Sequence, residues 1–103
     1  MHIQKMVQEI QSMQKKMAEL EVIMEEKEID GISGGGMVTI TVTGKSRVKR
    51  VKIDKSLANP DEVEMLEDLI IAAFNNARQN ADECNGEEMA KLGISPNLLK
   101  GIT

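Results

Sequence analysis

The sequence predicts an α+β fold with a long N-terminal helix, a small three-stranded antiparallel sheet and a C-terminal helix. Two patterns lead to this fold class. Apolar residues recur in steps of three and four near the N-terminus, which is typical of a helix, and polar and apolar residues alternate singly in mid-chain, which is typical of a half-buried strand. The 103 residues suffice for one domain with a modest core. We expect that domain over residues 1–92 and a flexible tail over 93–103.

The first helix is predicted over residues 1–26. Its apolar positions are Ile3, Met6, Ile10, Met13, Met17, Leu20 and Met24. They form a narrow heptad seam, whereas a helix packed on a globular core carries a broader apolar stripe. Such a helix would be about 35 Å long, which outreaches a domain of this size. The seam therefore needs something to pack against beyond its own small core, and another copy of the chain is the simplest candidate.

The sheet is predicted over residues 28–54. Three apolar residues of Val38–Val42 alternate with threonines, and a second β-rich run extends over Val48–Ile53. The segment Thr43–Ser46 between them is a turn signal in which Gly44 is free to adopt positive φ. These features predict an antiparallel hairpin across residues 37–53. Ile29 is expected to lead into a short additional strand that ends near residue 32 or 33.

The second helical region is predicted over residues 59–92. Asn59 suits the N-cap, Pro60 the first helical position, and Glu62 the third position of a capping box. One apolar face is marked by Val63, Leu66, Ile70, Phe74 or Ala73, and Ala77, and further apolar residues are Leu69, Ile71 and Ala72. One side of this helix should cover the sheet, and the other could meet a second subunit. Residues 85–86, Asn-Gly, predict a stop or kink before a last helical stretch.

Positive charge is concentrated in the predicted hairpin. Six of the eleven residues from 45 to 55 are basic, and Asp54 is the only acid among them, in a chain of net charge −4. The cluster could contact a polyanion, or it could be a solvated face that protects an exposed strand edge from aggregation. Strand alternation places Arg47 and Lys49 on one face and Arg50 and Lys52 on the other, unless a bulge shifts the register.

Four blocks of the sequence, Met13–Met17, Gly34–Gly44, Val48–Leu57 and Glu64–Ala77, together resemble the YbaB/EbfC family in their order and spacing. This resemblance implies a small bacterial nucleoid-associated protein with a helix–hairpin–helix fold. It also implies an intertwined homodimer whose long helices project like tweezers, and binding to duplex DNA. The C-terminal segment differs from the Gly-, Met- and Pro-rich tail of many family members, so a role of that tail does not transfer.

On this interpretation two groups of residues become candidates. Those for DNA binding are Lys5, Lys15, Lys16, Lys45, Arg47, Lys49, Arg50 and Lys52. Those for the dimer interface are Met13, Met17, Leu20, Val38, Ile40, Leu66, Ile70 and Phe74. The sequence has no recognition helix with clustered base-reading side chains and no aromatic platform for single strands, so we expect mainly phosphate contacts. The rival interpretation is a homodimeric protein–protein interaction or adaptor module that uses the heptad seam and does not bind DNA.

Other function classes lack the residues that they need. Cys84 is the single cysteine, with no histidine nearby in sequence to activate it, and we expect it to be a packing residue. The glycines of Gly34–Gly36 lead into a strand without a phosphate-loop signature, and the acids of Glu25–Asp30 lack EF-hand spacing. We therefore expect no enzyme activity, cofactor, metal or small-molecule substrate. No apolar run is long enough for a membrane span and no signal peptide is expected, so the expected location is the cytoplasm, at the nucleoid.

Overall fold

A computed structural model describes residues 2–94 and has the predicted α+β architecture. The elements are α1 (His2–Glu26), β1 (Glu28–Ser33), β2 (Val38–Thr43), β3 (Val48–Ile53) and α2 (Val63–Lys91), with 3-10 turns at Gly34–Gly36, Lys55–Leu57 and Pro60–Glu62. The three strands form one antiparallel sheet in the order β1-β2-β3. The predicted helix, hairpin, additional strand and second helix are thus all confirmed.

The described chain is elongated, because α1 extends beyond the core. Its principal extents are 71 × 22 × 17 Å and its radius of gyration is 18.8 Å, whereas a compact domain of this length has a radius of about 13 Å. Leu20 and Met24 near the end of α1 are buried, but Ile3, Met6 and Ile10 in its first half are exposed. The N-terminal half of the heptad seam therefore has no partner within residues 2–94.

The main core lies between the sheet and α2. Val38, Ile40 and Val42 from β2 pack against Ala73, Ala77 and Ala81 from α2, with Leu57 closing the cluster. The small alanine side chains allow the helix to approach the sheet closely. Gly31 on β1 completes this approach, because a Cβ atom there would overlap with the backbone of α2.

Side chains of α2 also cover the outer edge of β1. Asn76 Oδ1 accepts a hydrogen bond from the Ile32 backbone N–H at 2.9 Å, and Asn80 Nδ2 donates to the Asp30 carbonyl at 3.0 Å. Two backbone groups that the edge strand leaves unpaired are thereby satisfied. Because α2 lies over β1 and β2, all six residues of β3 remain exposed.

A second, smaller cluster joins α1 to the end of α2. Its buried residues are Leu20, Met24, Met89 and Ile94, and Met13, Met17, Cys84 and Leu92 pack around them. Cys84 is thus a packing residue, as predicted. Gly93 adopts a φ of 74°, and the Ile94 N–H donates to the Met89 carbonyl at 2.9 Å, so the chain turns back after α2. Ile94, the second residue of the predicted tail, is buried by this turn, and residues 95–103 lie outside the described residues.

Two local expectations are changed by the structure. Positive φ in the hairpin turn occurs at Ser46 (65°) and not at Gly44, so that prediction is wrong. Gly44 instead lies against the backbone of α1, where its N–H donates to the Met24 carbonyl at 2.8 Å and a Cβ would clash with Met24. The prediction of a stop or kink at residues 85–86 also fails, because α2 continues to Lys91.

The N-cap of the second helical region has the predicted residue. Asn59 Oδ1 accepts a hydrogen bond from the Asp61 N–H at 2.8 Å. The turn that follows, Pro60–Glu62, is 3-10 rather than α-helical, and α2 itself begins at Val63. The helix therefore starts four residues after its predicted cap.

Candidate functional site

The sheet has an open face, on the side away from α2. Its side chains are Glu28, Asp30 and Ile32 from β1, Thr39, Thr41 and Thr43 from β2, and Arg50 and Lys52 from β3. The register aligns Asp30, Thr41 and Arg50 in one row across the three strands. Acidic side chains thus lie on one edge strand and basic side chains on the other, with threonines between them.

A β-bulge in β3 changes the direction of its cations. Thr41 pairs with Arg50, whereas the next residue, Val42, pairs with Val48, so Lys49 has no partner of its own in the ladder. The possible register shift considered from the sequence is therefore present. As a result Lys49 and Arg50, although adjacent in sequence, both reach the open face, whereas neighbours in a regular strand point to opposite faces.

Both of these cations contact the same carboxylate. Lys49 Nζ lies 3.1 Å from Glu28 Oε2, and Arg50 Nη2 lies 2.6 Å from Glu28 Oε1. The hydrogen bond from Arg50, followed by that from Lys49, lowers the pKa of Glu28 below its usual range. Glu28 was not among the candidate residues predicted from the sequence, because it lies in the acidic run of Glu25–Asp30 and its cationic partners are distant in sequence.

The hairpin tip is bound to α1 by a further set of charges. Lys45 pairs with Glu21 and lies 3.8 Å from Glu25. The hydrogen bond from Lys45 lowers the pKa of Glu21. Arg47 and Lys52 are exposed and form no ion pair with a carboxylate among residues 2–94. Of the five candidate cations of the hairpin, three therefore form ion pairs with carboxylates among residues 2–94, and Arg47 and Lys52 do not.

The candidate lysines of α1 form a separate group. Lys5 and Lys15 are exposed, and Lys16 is half-buried with its Nζ beside Gly93. Among the described residues, none of the three has an ion-pair partner. Lys5 and Lys15 are ten residues apart, which corresponds to about 15 Å along a helix. The cations of the hairpin thus lie together on β3 and the turn that precedes it, whereas the lysines of α1 are spread along the helix.

The candidate interface residues fall into two classes. Leu20, Val38 and Ile40 are buried within the protomer, so in this structure they stabilise the chain itself and offer no surface to a second copy. Met13 and Met17 partly cover the smaller cluster. Leu66, Ile70 and Phe74 are half-buried at the margin of the main core and retain accessible surface.

Two of these residues, Ile70 and Phe74, belong to an exposed apolar area that we call the β3–α2 surface. It is made up of Val48, Val51, Ile53, Ile70, Ile71 and Phe74. Val51 is 45% exposed and Ile71 is 60% exposed. Most of these side chains line a shallow cavity of about 340 Å³. Val51 and Ile53 pair with Ile40 and Val38 and so point to the α2 side of the sheet, but α2 does not extend over them. The β3 residues of this surface were not predicted as interface candidates, since the direction of their side chains depends on the bulge.

Within residues 2–94, neither helix combines the length and the apolar character needed to cross a membrane.

Comparison with known proteins decides the family. The family model described as the YbaB/EbfC DNA-binding family matches residues 1–95. The chain belongs to this family. The predicted resemblance is therefore confirmed, and it extends over all the elements of the fold described above.

Several curated relatives of this YbaB/EbfC chain are named as nucleoid-associated proteins. One from Paramagnetospirillum magneticum is 47% identical over 97 residues, which cover 94% of this chain and 91% of the relative. Another, from Alkaliphilus metalliredigens, is 40% identical and covers 90% of this chain and 82% of the relative. A crystal structure of an uncharacterized protein from Helicobacter pylori has a TM-score of 0.74 at 24% identity, covering 87% of this chain and 94% of that one. At this identity the similarity demonstrates a shared fold.

Proposed function

We propose that this member of the YbaB/EbfC family is a bacterial nucleoid-associated protein that binds duplex DNA as a homodimer, mainly through phosphate contacts and with little direct base readout. It would act at the nucleoid, in the cytoplasm, in chromosome organisation or gene regulation. The names of its relatives support the general assignment. The observation that carries the phosphate-contact model is the concentration of exposed cations on β3 and its turn, Arg47, Lys49, Arg50 and Lys52. No residue is assigned a catalytic role.

The type of side chain supports phosphate contact over base recognition. The open face of the sheet presents cations and threonines, and neither an Asn- or Gln-rich helix nor an aromatic platform lies among its residues. Cations that neutralise phosphates release counterions, so the logarithm of the affinity should fall linearly with the logarithm of the salt concentration. The net charge of −4 opposes association with DNA, so we expect a moderate affinity.

The proposed homodimer would form through the β3–α2 surface. Contiguous apolar patches are uncommon on monomeric proteins and often mark interaction sites. A twofold arrangement would cover Val51 and Ile71 of both copies with each other's apolar side chains and would leave the open faces and the two α1 helices free. Two protomers would double the number of cations available to one DNA duplex, which would compensate for the small number that each carries.

The test is fluorescence anisotropy with a labelled duplex across a salt series, after light scattering has established the oligomeric state. Lys49→Glu with Arg50→Glu reverses two of the cations of the hairpin, and Lys15→Glu with Lys16→Glu reverses two of those on α1. Substitution of the residues that contact DNA should weaken duplex binding strongly and reduce the salt slope, while the protein remains a dimer. A dimer without detectable duplex binding at low salt would refute the proposal.

A second candidate function, a protein-interaction or adaptor module, is favoured by one observation. The exposed seam of α1 borders an apolar groove of about 1240 Å³, lined by residues that include Met6, Ile10, Met13 and Met17. A partner helix would fit such a groove. Duplex binding by the dimer at near-physiological salt discriminates the two functions, because an adaptor that lacks DNA affinity would show none.

A further inference from the structure

The Lys49–Arg50 pair has the geometry of a site for a two-oxygen anion. Each cation binds a different oxygen of the Glu28 carboxylate, Lys49 Nζ the Oε2 atom and Arg50 Nη2 the Oε1 atom. A phosphodiester also presents two charged oxygens on one centre, and arginine binds carboxylates and phosphates with the same donor geometry. The bulge at Lys49 creates this arrangement, because it brings two neighbouring cations to one face of the sheet.

Glu28 reaches the pair from the far side of the sheet. It lies on β1 and pairs with Thr43, whereas its partners lie on β3, so the ion pairs extend across the intervening strand. Neighbouring strands are about 4.8 Å apart, which makes the span between β1 and β3 roughly twice that distance. The side chains that meet over β2 explain why Thr41, although it belongs to the open face, is only 3% exposed.

These ion pairs remain accessible to solvent and therefore to dissolved anions. The side chains of Glu28, Lys49 and Arg50 are 44%, 42% and 60% exposed. Ion pairs of this kind contribute little to stability, because water and salt screen them. The neighbouring acid on β1, Asp30, differs in that it accepts a hydrogen bond from the Thr41 hydroxyl at 2.6 Å. Glu28 is therefore the acid of this strand that holds the cations.

We propose that Lys49 and Arg50 form a phosphate subsite and that Glu28 occupies it in the free protein as an internal competitor, which DNA must displace. This inference rests on the proposed DNA-binding function and adds to it a residue that limits affinity. Displacement removes two ion pairs and leaves a carboxylate close to the bound phosphate. Isolated phosphates or weakly docked polyanions would then bind poorly, and a duplex that engages several cations of the dimer together would be favoured.

The decisive variant is Glu28→Gln, which keeps the shape of the side chain and removes its charge. Its matched control is Glu83→Gln, which removes the same charge from an exposed position on α2 that has no ion-pair partner among residues 2–94. In duplex-binding anisotropy we expect Glu28→Gln to bind about two- to fivefold more tightly per site than the control. The slope of log affinity against log salt should steepen by up to roughly 0.9 for each further phosphate neutralised.

The gain must also depend on the two cations. In a background that carries Lys49→Ala and Arg50→Ala, Glu28→Gln should give no gain beyond that of the control, which is the coupling expected of residues that share one site. An affinity equal to the control would mean that Glu28 does not occupy the subsite, and a lower affinity would mean that it positions the cations for DNA. Either result, or a gain that persists without the cations, overturns the inference.

A second measurement separates this inference from the proposed function. Titration of the Glu28 side-chain carboxyl by NMR should give a pKa below the usual range in the free protein and a higher one in the duplex complex. A low value in the free protein with no duplex binding by any variant would refute the proposed function while confirming the ion pairs. Duplex binding with an unchanged Glu28 pKa would refute the displacement alone.

Discussion

Gly31 on β1 and Ala77 on α2 approach so closely that a side chain on residue 31 has no space. A Cβ atom there would overlap with the Ala77 backbone nitrogen and with the Ala73 carbonyl oxygen. The overlap involves backbone atoms, which cannot rotate away as the end of a flexible side chain can. This contact therefore sets how closely α2 approaches β1.

Replacing Gly31 with alanine should destabilise the protein. Forcing a methyl group into a filled contact typically costs about 1–3 kcal/mol in the free energy of unfolding. Chemical denaturation monitored by circular dichroism measures this change. The control is Gly86→Ala on α2, where a Cβ would meet nothing within 4 Å, and which should stabilise the helix by about 0.5–1 kcal/mol. Equal stabilities of the two variants would contradict the close contact.

Replacing Ser46 with glycine should stabilise the hairpin. Ser46 has a φ of 65°, and its N–H donates to the Thr43 carbonyl at 2.9 Å, so a non-glycine residue occupies the left-handed position of the turn. The left-handed conformation costs an L-residue about 1–2 kcal/mol, and glycine avoids this cost. Glycine also loses more backbone entropy on folding, which offsets part of the gain. A net gain of about 0.5–1 kcal/mol should appear as a higher Tm in a thermal melt. A lower Tm would show that the turn has another conformation in solution.

The acid sensitivity of the protein should depend on Glu88. Its Oε1 lies 3.2 Å from Lys91 Nζ and 3.3 Å from Lys27 Nζ, and the hydrogen bond from Lys91, followed by that from Lys27, lowers the pKa of Glu88. Below its ordinary pKa of about 4.3, the unfolded chain therefore binds more protons at this site than the folded one. The stabilisation is present above that pH and is lost as the pH falls through the lower folded-state value.

Urea denaturation at a series of pH values tests this dependence. The free energy of unfolding of the wild type should fall more steeply below about pH 4.3 than that of Glu88→Gln. The variant should be less stable at neutral pH, where the wild-type ion pairs are intact. Glu83→Gln should keep the wild-type acid dependence, since Glu83 has no ion pair within residues 2–94. Parallel pH profiles of wild type and Glu88→Gln would rule out the role of Glu88.

Replacing Val51 with glutamate should convert the proposed dimer into a monomer. Val51 is exposed in the protomer, so the substitution should leave its fold intact, whereas a charge in an apolar interface is unfavourable. Light scattering over a concentration series measures the change in mass. Ile3→Glu, which places the same charge on the exposed seam of α1, should remain dimeric. A monomeric Ile3→Glu beside a dimeric Val51→Glu would instead assign the interface to α1.

The long elements were predictable from the sequence because their patterns are local. The heptad steps of α1 and the alternation of β2 depend on residues three, four or two positions apart. The stop predicted at residues 85–86 failed because contacts distant in sequence extend α2. Met89, beyond Gly86, is buried against Leu20 and Met24 of α1, and this packing outweighs the low helix propensity of glycine.

The details of the candidate site depend on register, which the sequence pattern did not determine. One bulged residue, Lys49, decides that two adjacent cations share a carboxylate and that Val51 and Ile53 point to the side of α2. A lone glycine within a strand was a usable signal of close backbone approach at Gly31. By contrast, the partner of Glu28 lies more than twenty residues away on a strand that is not its neighbour, and no local pattern indicates it.

The projecting α1 helix has a hydrodynamic consequence. A particle of 71 × 22 × 17 Å experiences more friction than a sphere of equal mass and therefore diffuses more slowly. On a gel-filtration column calibrated with globular standards, a single protomer would elute ahead of its 11.4 kDa mass, at the position of a larger compact protein. Elution volume alone would thus overstate the number of copies, and sedimentation velocity should resolve the excess friction directly.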